Sequence, residues 1–147
     1  MKTILFACED NAGLSAMAVV FFNSLVIRES FMGVSAGLRP AERIQPGVVQ
    51  AMRELNIDLS KIRPRLLTPQ TMESARYAVT LGTEREYSIP PELEHEHWPF
   101  EEINGKTITQ VRRIRNEIER LVRHLVDRNG WLKSTRRRTA EWAPSGL

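Results

Sequence analysis

The chain has 147 residues, 41% of them apolar and 27% charged, which suits one domain with its own core and excludes a disordered polymer or a membrane-spanning bundle. Its single cysteine, Cys8, excludes an intramolecular disulfide framework and any four-cysteine metal site. The net charge of +3 is unevenly placed: residues 1–100 carry 10 basic and 12 acidic side chains, whereas residues 101–147 carry 11 and 6. The basic balance therefore belongs to the last third.

Lys2 and the apolar Thr3–Ala7 begin like a secretory signal, but Glu9, Asp10 and Asn11 interrupt it. Ala16–Ile27, broken by Asn23 and Ser24, is too short to span a bilayer. These features set the expectation of a soluble cytoplasmic protein with no membrane contact.

Thr3–Cys8 is a continuous apolar run, the pattern of a strand buried on both faces in a parallel sheet. A polar loop, Glu9–Gly13, follows, and Leu14–Arg28 has the length and composition of a buried helix. Phe31–Ala36 reads as a second strand, closed by Gly37 and Arg39-Pro40. Pro46 suits the first position of a helix carrying Val48, Val49, Met52 and Leu55 on one face, with Asn56 as its stop. Thr68-Pro69 repeats that entry signal for a short helix to about Ala75. Tyr77–Leu81 is a third strand ending at Gly82, and His95–Phe100 a fourth.

Ile108, Val111, Ile114, Ile118, Leu121, Val122, Leu125 and Val126 fall on one face of a helix from Thr107 to Arg128, ended by Asn129-Gly130. Strands and helices alternate, so the class is α/β, a short parallel sheet wrapped by helices. Residues 1–130 are read as the domain. Residues 131–147 are read as a basic tail without core packing, unless Trp131 or Trp142 docks it.

The first strand–loop–helix unit is where an α/β protein places a phosphate, because loop N–H groups and a helix N-terminus converge there. Cys8 ends the strand, a place that stabilises a thiolate, and Ser15 at the helix start is positioned to hydrogen-bond its sulfur. Taken alone, Cys8 reads first as a small buried apolar residue. The run Ile4-Leu-Phe-Ala-Cys8-Glu-Asp-Asn11-Ala-Gly-Leu-Ser15-Ala-Met17-Ala18 resembles the opening of the low-molecular-weight protein tyrosine phosphatases, most of all their arsenate-reductase branch. Cys8, Asn11, Ser15, Met17 and Ala18 match that pattern in register. The likeness continues through Val34–Gly37, Arg39–Ala41, Pro46–Asp58, Tyr77–Gly82 and Glu94–Phe100. It implies a four-stranded parallel sheet flanked by helices, a cysteine nucleophile, and an anion loop formed here by Glu9, Asp10, Asn11, Ala12, Gly13 and Leu14.

Leu14 stands where the resemblance implies an arginine that holds the phosphoryl oxygens in a planar fork, and leucine has no donor. Glu9 and Asp10 add two carboxylates to the loop, against about half a charge from the helix dipole. Losing one preorganised donor costs roughly 10²–10³ in rate. The family's Asp-Pro acid is replaced by Phe100-Glu101-Glu102-Ile103, leaving Glu102 as the candidate acid. Thioredoxin-coupled arsenate reduction in this family uses two further cysteines, which this chain lacks. Arg39, Arg43, Arg63 and Arg65 are candidates to replace the missing arginine.

Cys8, Ser15 and Glu102 are thus the candidate catalytic residues of a site expected to be impaired, with no cofactor, weak oxyanion binding and a protein partner at the loop cleft or the tail. The alternative is an active Cys8-dependent phosphatase or single-cysteine arsenate reductase with compensating residues.

His95 and His97 have a spacing that suits metal binding in an extended segment, but the resemblance accounts for that segment without a metal, and none is assigned. Trp98 and Phe100 are expected in the core or at the cleft rim. Arg112, Arg113, Arg115, Arg120, Arg123 and Arg128 interleave with Glu117, Glu119 and Asp127 as a solvated, charge-paired face. Arg136–Arg138 carry the remaining alternative, a nucleic-acid-associated regulator, which so short a run makes the lesser reading.

Overall fold

Strand β1 (Lys2–Cys8) lies inside the sheet, and the alternation of its side chains divides the molecule in two. Ile4, Phe6 and Cys8 face one layer of helices, while Leu5 and Ala7 face the opposite side. Burial on both faces is what the unbroken apolar run requires.

The computed structural model describes residues 1–133. Its elements run β1, α1 (Leu14–Leu25), β2 (Phe31–Gly37), α2 (Pro46–Arg53), α3 (Pro69–Glu73), β3 (Ala75–Leu81), β4 (Glu94–Trp98) and α4 (Ile108–Arg128). The four strands are all parallel, in the order β2-β1-β3-β4. The carboxyl ends of the strands therefore share one edge, and the loops after β1, β2, β3 and β4 gather there.

The larger core lies between the sheet and α1, α2 and α4, where Phe6, Phe22, Met17, Ile118 and Leu125 are fully buried. The opposite face is thinner: Leu5, Ala7, Ala36 and Ala78 are covered by Met72 of α3 and Leu93 before β4.

The expected cap at Thr68 is present, and the structure adds one at Thr107. Thr107 and Gln110 form a reciprocal capping box at the start of α4, and Thr68 accepts the N–H of Thr71 at 3.2 Å. Helix α1 stops at Leu25 rather than Arg28, because Val26 turns to extended backbone and bridges Leu132. Helix α2 ends at Arg53, and the chain reverses at Asn56, which adopts φ +63°. Strand β4 starts at Glu94 and ends at Trp98, two residues before Phe100.

The face of α4 read as solvated is not uniformly so. Arg115 is 8% exposed and donates to the Ala51 carbonyl at 2.8 Å and to Glu54 at 2.9 Å. Arg112 forks onto Glu54 as well, which ties α4 to α2 and holds the Glu54 carboxyl down at about 2. The spacing within α4 shows only its local pairs; these partners come from another helix.

Residues 131–133, read from composition as the start of the tail, pack against the domain. Trp131 sits edge-on to Phe22 and Tyr77 at 6.2 and 6.0 Å and beside Phe31 at 5.2 Å, and the N–H of Lys133 reaches the Leu25 carbonyl. Arg136–Arg138 and Trp142 lie outside the described residues. No helix among the described residues is long and apolar enough to cross a membrane.

Candidate functional site

The loop after β1 is held from outside by its carbonyls. Those of Cys8, Glu9, Asp10 and Ala12 accept the N–H groups of Leu38, Arg39, Ala41 and Gln45, at 3.2, 2.7, 3.0 and 2.9 Å. Gly37 makes this approach possible, since a Cβ there would stand 2.8 Å from the Asn11 nitrogen, a backbone atom that cannot yield.

Inside the loop, Asn11 adopts φ +51° and is buried. Its amide donates to the Ser15 hydroxyl at 2.8 Å, and its carbonyl oxygen accepts the Arg65 N–H at 3.0 Å. The Ser15 oxygen lies 2.9 Å from the Cys8 sulfur. Asp10 accepts the Ala12 N–H at 3.0 Å and lies 3.9 Å from the same sulfur. Cys8 and Ser15, singled out by their place at the strand end and helix start, and Asn11, singled out by the family resemblance, thus form one buried hydrogen-bonded floor at the start of α1.

Cys8 is only 2% exposed. Burial pushes its thiol above the usual range; the Ser15 contacts pull the other way, and the Asp10 carboxylate adds to the rise. The balance favours the protonated, weakly nucleophilic form.

Leu14 is buried at the arginine's position and forms an apolar wall with Leu81 and Ile103. The space over Cys8, closed on its far side by Glu102, measures about 20 Å³, room for a single water. Glu102 therefore does lie at the loop mouth, as its place in the sequence implied.

The rim carries a chain of four charges. Glu9 receives Arg39 Nη1 at 2.6 Å and Arg85 Nε at 2.8 Å, and Arg85 reaches on to Glu102 at 3.3 Å. Hydrogen bonds from Arg85 first, then Arg39, hold the Glu9 carboxyl below its ordinary range. Of the arginines proposed as substitutes, Arg39 stands at the rim, Arg65 contributes its backbone N–H to Asn11, and Arg43 and Arg63 are exposed.

Sequence reasoning missed Arg85, which comes from the loop between β3 and β4. It missed Tyr87 too, whose hydroxyl is buried without a partner among the described residues. Burial above all pushes that phenol upward, and Cys8, once ionised, and the Glu9 carboxylate add to the rise. The run Gly82–Tyr87 has no period, and its positive Arg85 between two glutamates is the one signal it offered.

His97 is occupied by the protein itself. Its Nε2–H donates to the Gly82 carbonyl at 2.9 Å, which leaves Nδ1 to accept the Thr80 hydroxyl at 2.7 Å. His95 donates from Nδ1 to the Leu93 carbonyl at 3.1 Å. A larger groove of about 320 Å³, between Leu38, Leu67, Met72 and Pro90, lies on the thin face. Its polar lining is Thr68, Glu73, Glu86 and Ser88, with no cysteine, histidine or cation to activate a hydroxyl, so the reactive chemistry points to Cys8 despite the smaller volume there.

A parallel α/β domain with a cysteine at the carboxyl end of a central strand, and a serine against its sulfur, defines the class of cysteine-loop phosphatase folds. Residues 3–137 match the family described as low molecular weight phosphotyrosine protein phosphatase, and the chain belongs to that family. It is 30% identical over 129 residues to arsenate reductase 2 of Staphylococcus saprophyticus, covering 86% of this chain and 97% of that protein. It is also 30% identical over 121 residues to an arsenate reductase of Staphylococcus aureus, covering 80% and 91%. Among solved structures, an arsenate reductase from Archaeoglobus fulgidus superimposes with a TM-score of 0.72 at 28% identity, over 84% of this chain and 98% of that one.

Proposed function

We propose that this chain is a catalytically impaired member of the family that acts by binding or regulation, with a protein partner engaging the loop cleft. Leu14 in the arginine's position carries this reading. A phosphoryl or arsenyl group at Cys8 would meet no bidentate donor from the loop, two carboxylates at its rim and a thiol pushed toward its neutral form. The test is steady-state turnover of an aryl phosphate, and of arsenate with added thiols, by the wild type and Cys8→Ser. Turnover at background in both supports the reading; robust turnover that Cys8→Ser abolishes would sink it.

The alternative is an active Cys8-dependent enzyme. The 2.9 Å contact between Cys8 and Ser15 favours it, as do relatives named arsenate reductases. It requires another cation to do the work of the missing arginine, and the same assay decides.

A further inference from the structure

Two guanidiniums from different loops meet one carboxylate of the Cys8 loop. Arg39 follows β2 and Arg85 precedes β4, and both donate to Glu9, the residue next to Cys8. Glu9 lies where the rim opens toward the site, and its two oxygens are divided between the arginines, Oε2 to Arg39 and Oε1 to Arg85. The carboxylate thereby takes the two-cation coordination that an incoming oxyanion would seek. The free volume of about 20 Å³ beside it has room for one water and is too small for a tetrahedral oxyanion. Glu102 restrains Arg85 from the other side at 3.3 Å.

We propose that Arg39 and Arg85 are the anion-holding pair of this chain, and that Glu9 is an internal occupant that keeps them from external oxyanions. This goes beyond the impaired-site reading and rests on it: the wild type binds oxyanions weakly because the cations that would bind them are already engaged. The bond between Glu9 and its arginines is a rim contact screened by water, so an external anion competes with it rather than being barred. A ligand carrying a phosphate or a carboxylate on a protein segment would have to displace Glu9 and recruit both arginines. Arg85, on the long β3–β4 connection, would have to swing with that loop.

The experiment is calorimetric titration of the full chain with inorganic phosphate at low salt. The proteins are the wild type, Glu9→Gln, and Glu9→Gln combined with Arg85→Ala or with Arg85→Lys. Glu9→Gln keeps the side chain's shape and removes its charge. It should bind phosphate about tenfold more tightly than the wild type, the scale set by releasing two rim charge pairs. Adding Arg85→Ala should return the affinity to the wild-type level, and Arg85→Lys should retain part of the gain, because a point charge replaces a fork.

The Nε–H resonances of Arg39 and Arg85 give a second readout, independent of heat, and should shift with phosphate in Glu9→Gln. An affinity of Glu9→Gln within twofold of the wild type would overturn the proposal, as would a gain that survives Arg85→Ala or resonances that do not move. Cys8-dependent turnover by the wild type would defeat the impaired-enzyme reading but leave this binding series readable. An unchanged Glu9→Gln would defeat the gate alone.

Discussion

The floor and the rim of the Cys8 loop, a few ångströms apart, differ in the kind of contact that holds them. The floor is buried and neutral, a chain of short hydrogen bonds from Asn11 through Ser15 to Cys8, braced by the Arg65 N–H. The rim is more exposed and charged, with Arg39, Glu9, Arg85 and Glu102 linked across four loops. Asn11, Ser15 and Cys8 of the floor match the family's pattern, whereas the buried wall at Leu14 and the rim at Glu9 depart from it. Hydrogen bonds in a dry interior are costly to break because each orphaned group has no water to turn to. Rim charges can be exchanged at little cost to the fold. A sequence can therefore lose the chemistry of such a loop while keeping its shape.

The largest effect that would break this contrast belongs to the floor. Asn11→Ala removes two buried hydrogen bonds and places an alanine at φ +51°, and it should cost about 3 kcal/mol. Thermal unfolding reads it as a fall of about 10 °C. A fall of only a degree or two would mean that the floor is no firmer than the rim.

The next effect tests the anion affinity of the loop. Wild-type phosphate affinity should be millimolar or weaker, about 4 kcal/mol or less. Leu14→Arg alone should recover only part of the missing affinity, because the guanidinium would enter beside Glu9 and Asp10. Adding Glu9→Thr and Asp10→Gly should recover more than the sum of the separate changes, since neighbouring charges couple. Calorimetry with phosphate or arsenate decides, and micromolar binding by the wild type would contradict the comparison.

Ser15→Ala has a smaller expected cost, about 1–2 kcal/mol, from leaving the Asn11 amide and the Cys8 sulfur without their partner. Its sharper signature is chemical. The Ser15 contact lowers a thiol pKa that burial has raised, so losing it should raise that pKa further and slow alkylation of Cys8 at pH 8. Faster alkylation would show that exposure rather than ionisation limits the reaction.

The smallest effect is electrostatic. The folded-state pKa of Glu9 is depressed, so its contribution to stability is present above its unfolded value of 4.5 and is lost as pH falls through the folded value. Arg85→Ala should move the Glu9 midpoint upward and flatten that acid-side loss. The carboxyl carbon resonance of Glu9, followed through a pH titration, measures the shift directly. No shift would place Arg39, not Arg85, as its principal partner.

Elements that depend on local pattern were legible before the structure. The apolar run of β1, the prolines opening α2 and α3, and the apolar face of α4 each fall where their periodicity places them. The floor was legible mainly through the family resemblance, which matched Cys8, Asn11 and Ser15 in register; local pattern alone offered only Cys8 at a strand end and Ser15 at a helix start. Arg85 was not, because its partner Glu9 lies 76 positions away and no spacing rule connects two loops that meet only after the sheet forms. Arg115 escaped for a different reason: its register, four after Val111 and three before Ile118, places it on the buried stripe, but its charge led it to be grouped with the solvated arginines, and the partners on Ala51 and Glu54 that let it be buried come from another segment. The end of α1 fell three residues short of its composition because Val26 is needed as backbone for the bridge to Leu132, a contact with a distant segment.

The interior position of β1 has a consequence for how the chain is made. Its neighbour β2 is close in sequence, but on its other side Ile4 must await Tyr77 and Phe6 must await Val79. At ribosomal speed the interval between finishing β2 and finishing β3 is on the order of a few seconds. Throughout it, the strand that ends in Cys8 offers an unpaired, strongly apolar edge to any other extended segment nearby. A nascent chain stalled between residues 40 and 75 would therefore be more prone to cross-pair with its neighbours than one stalled later, whatever the fate of the finished loop.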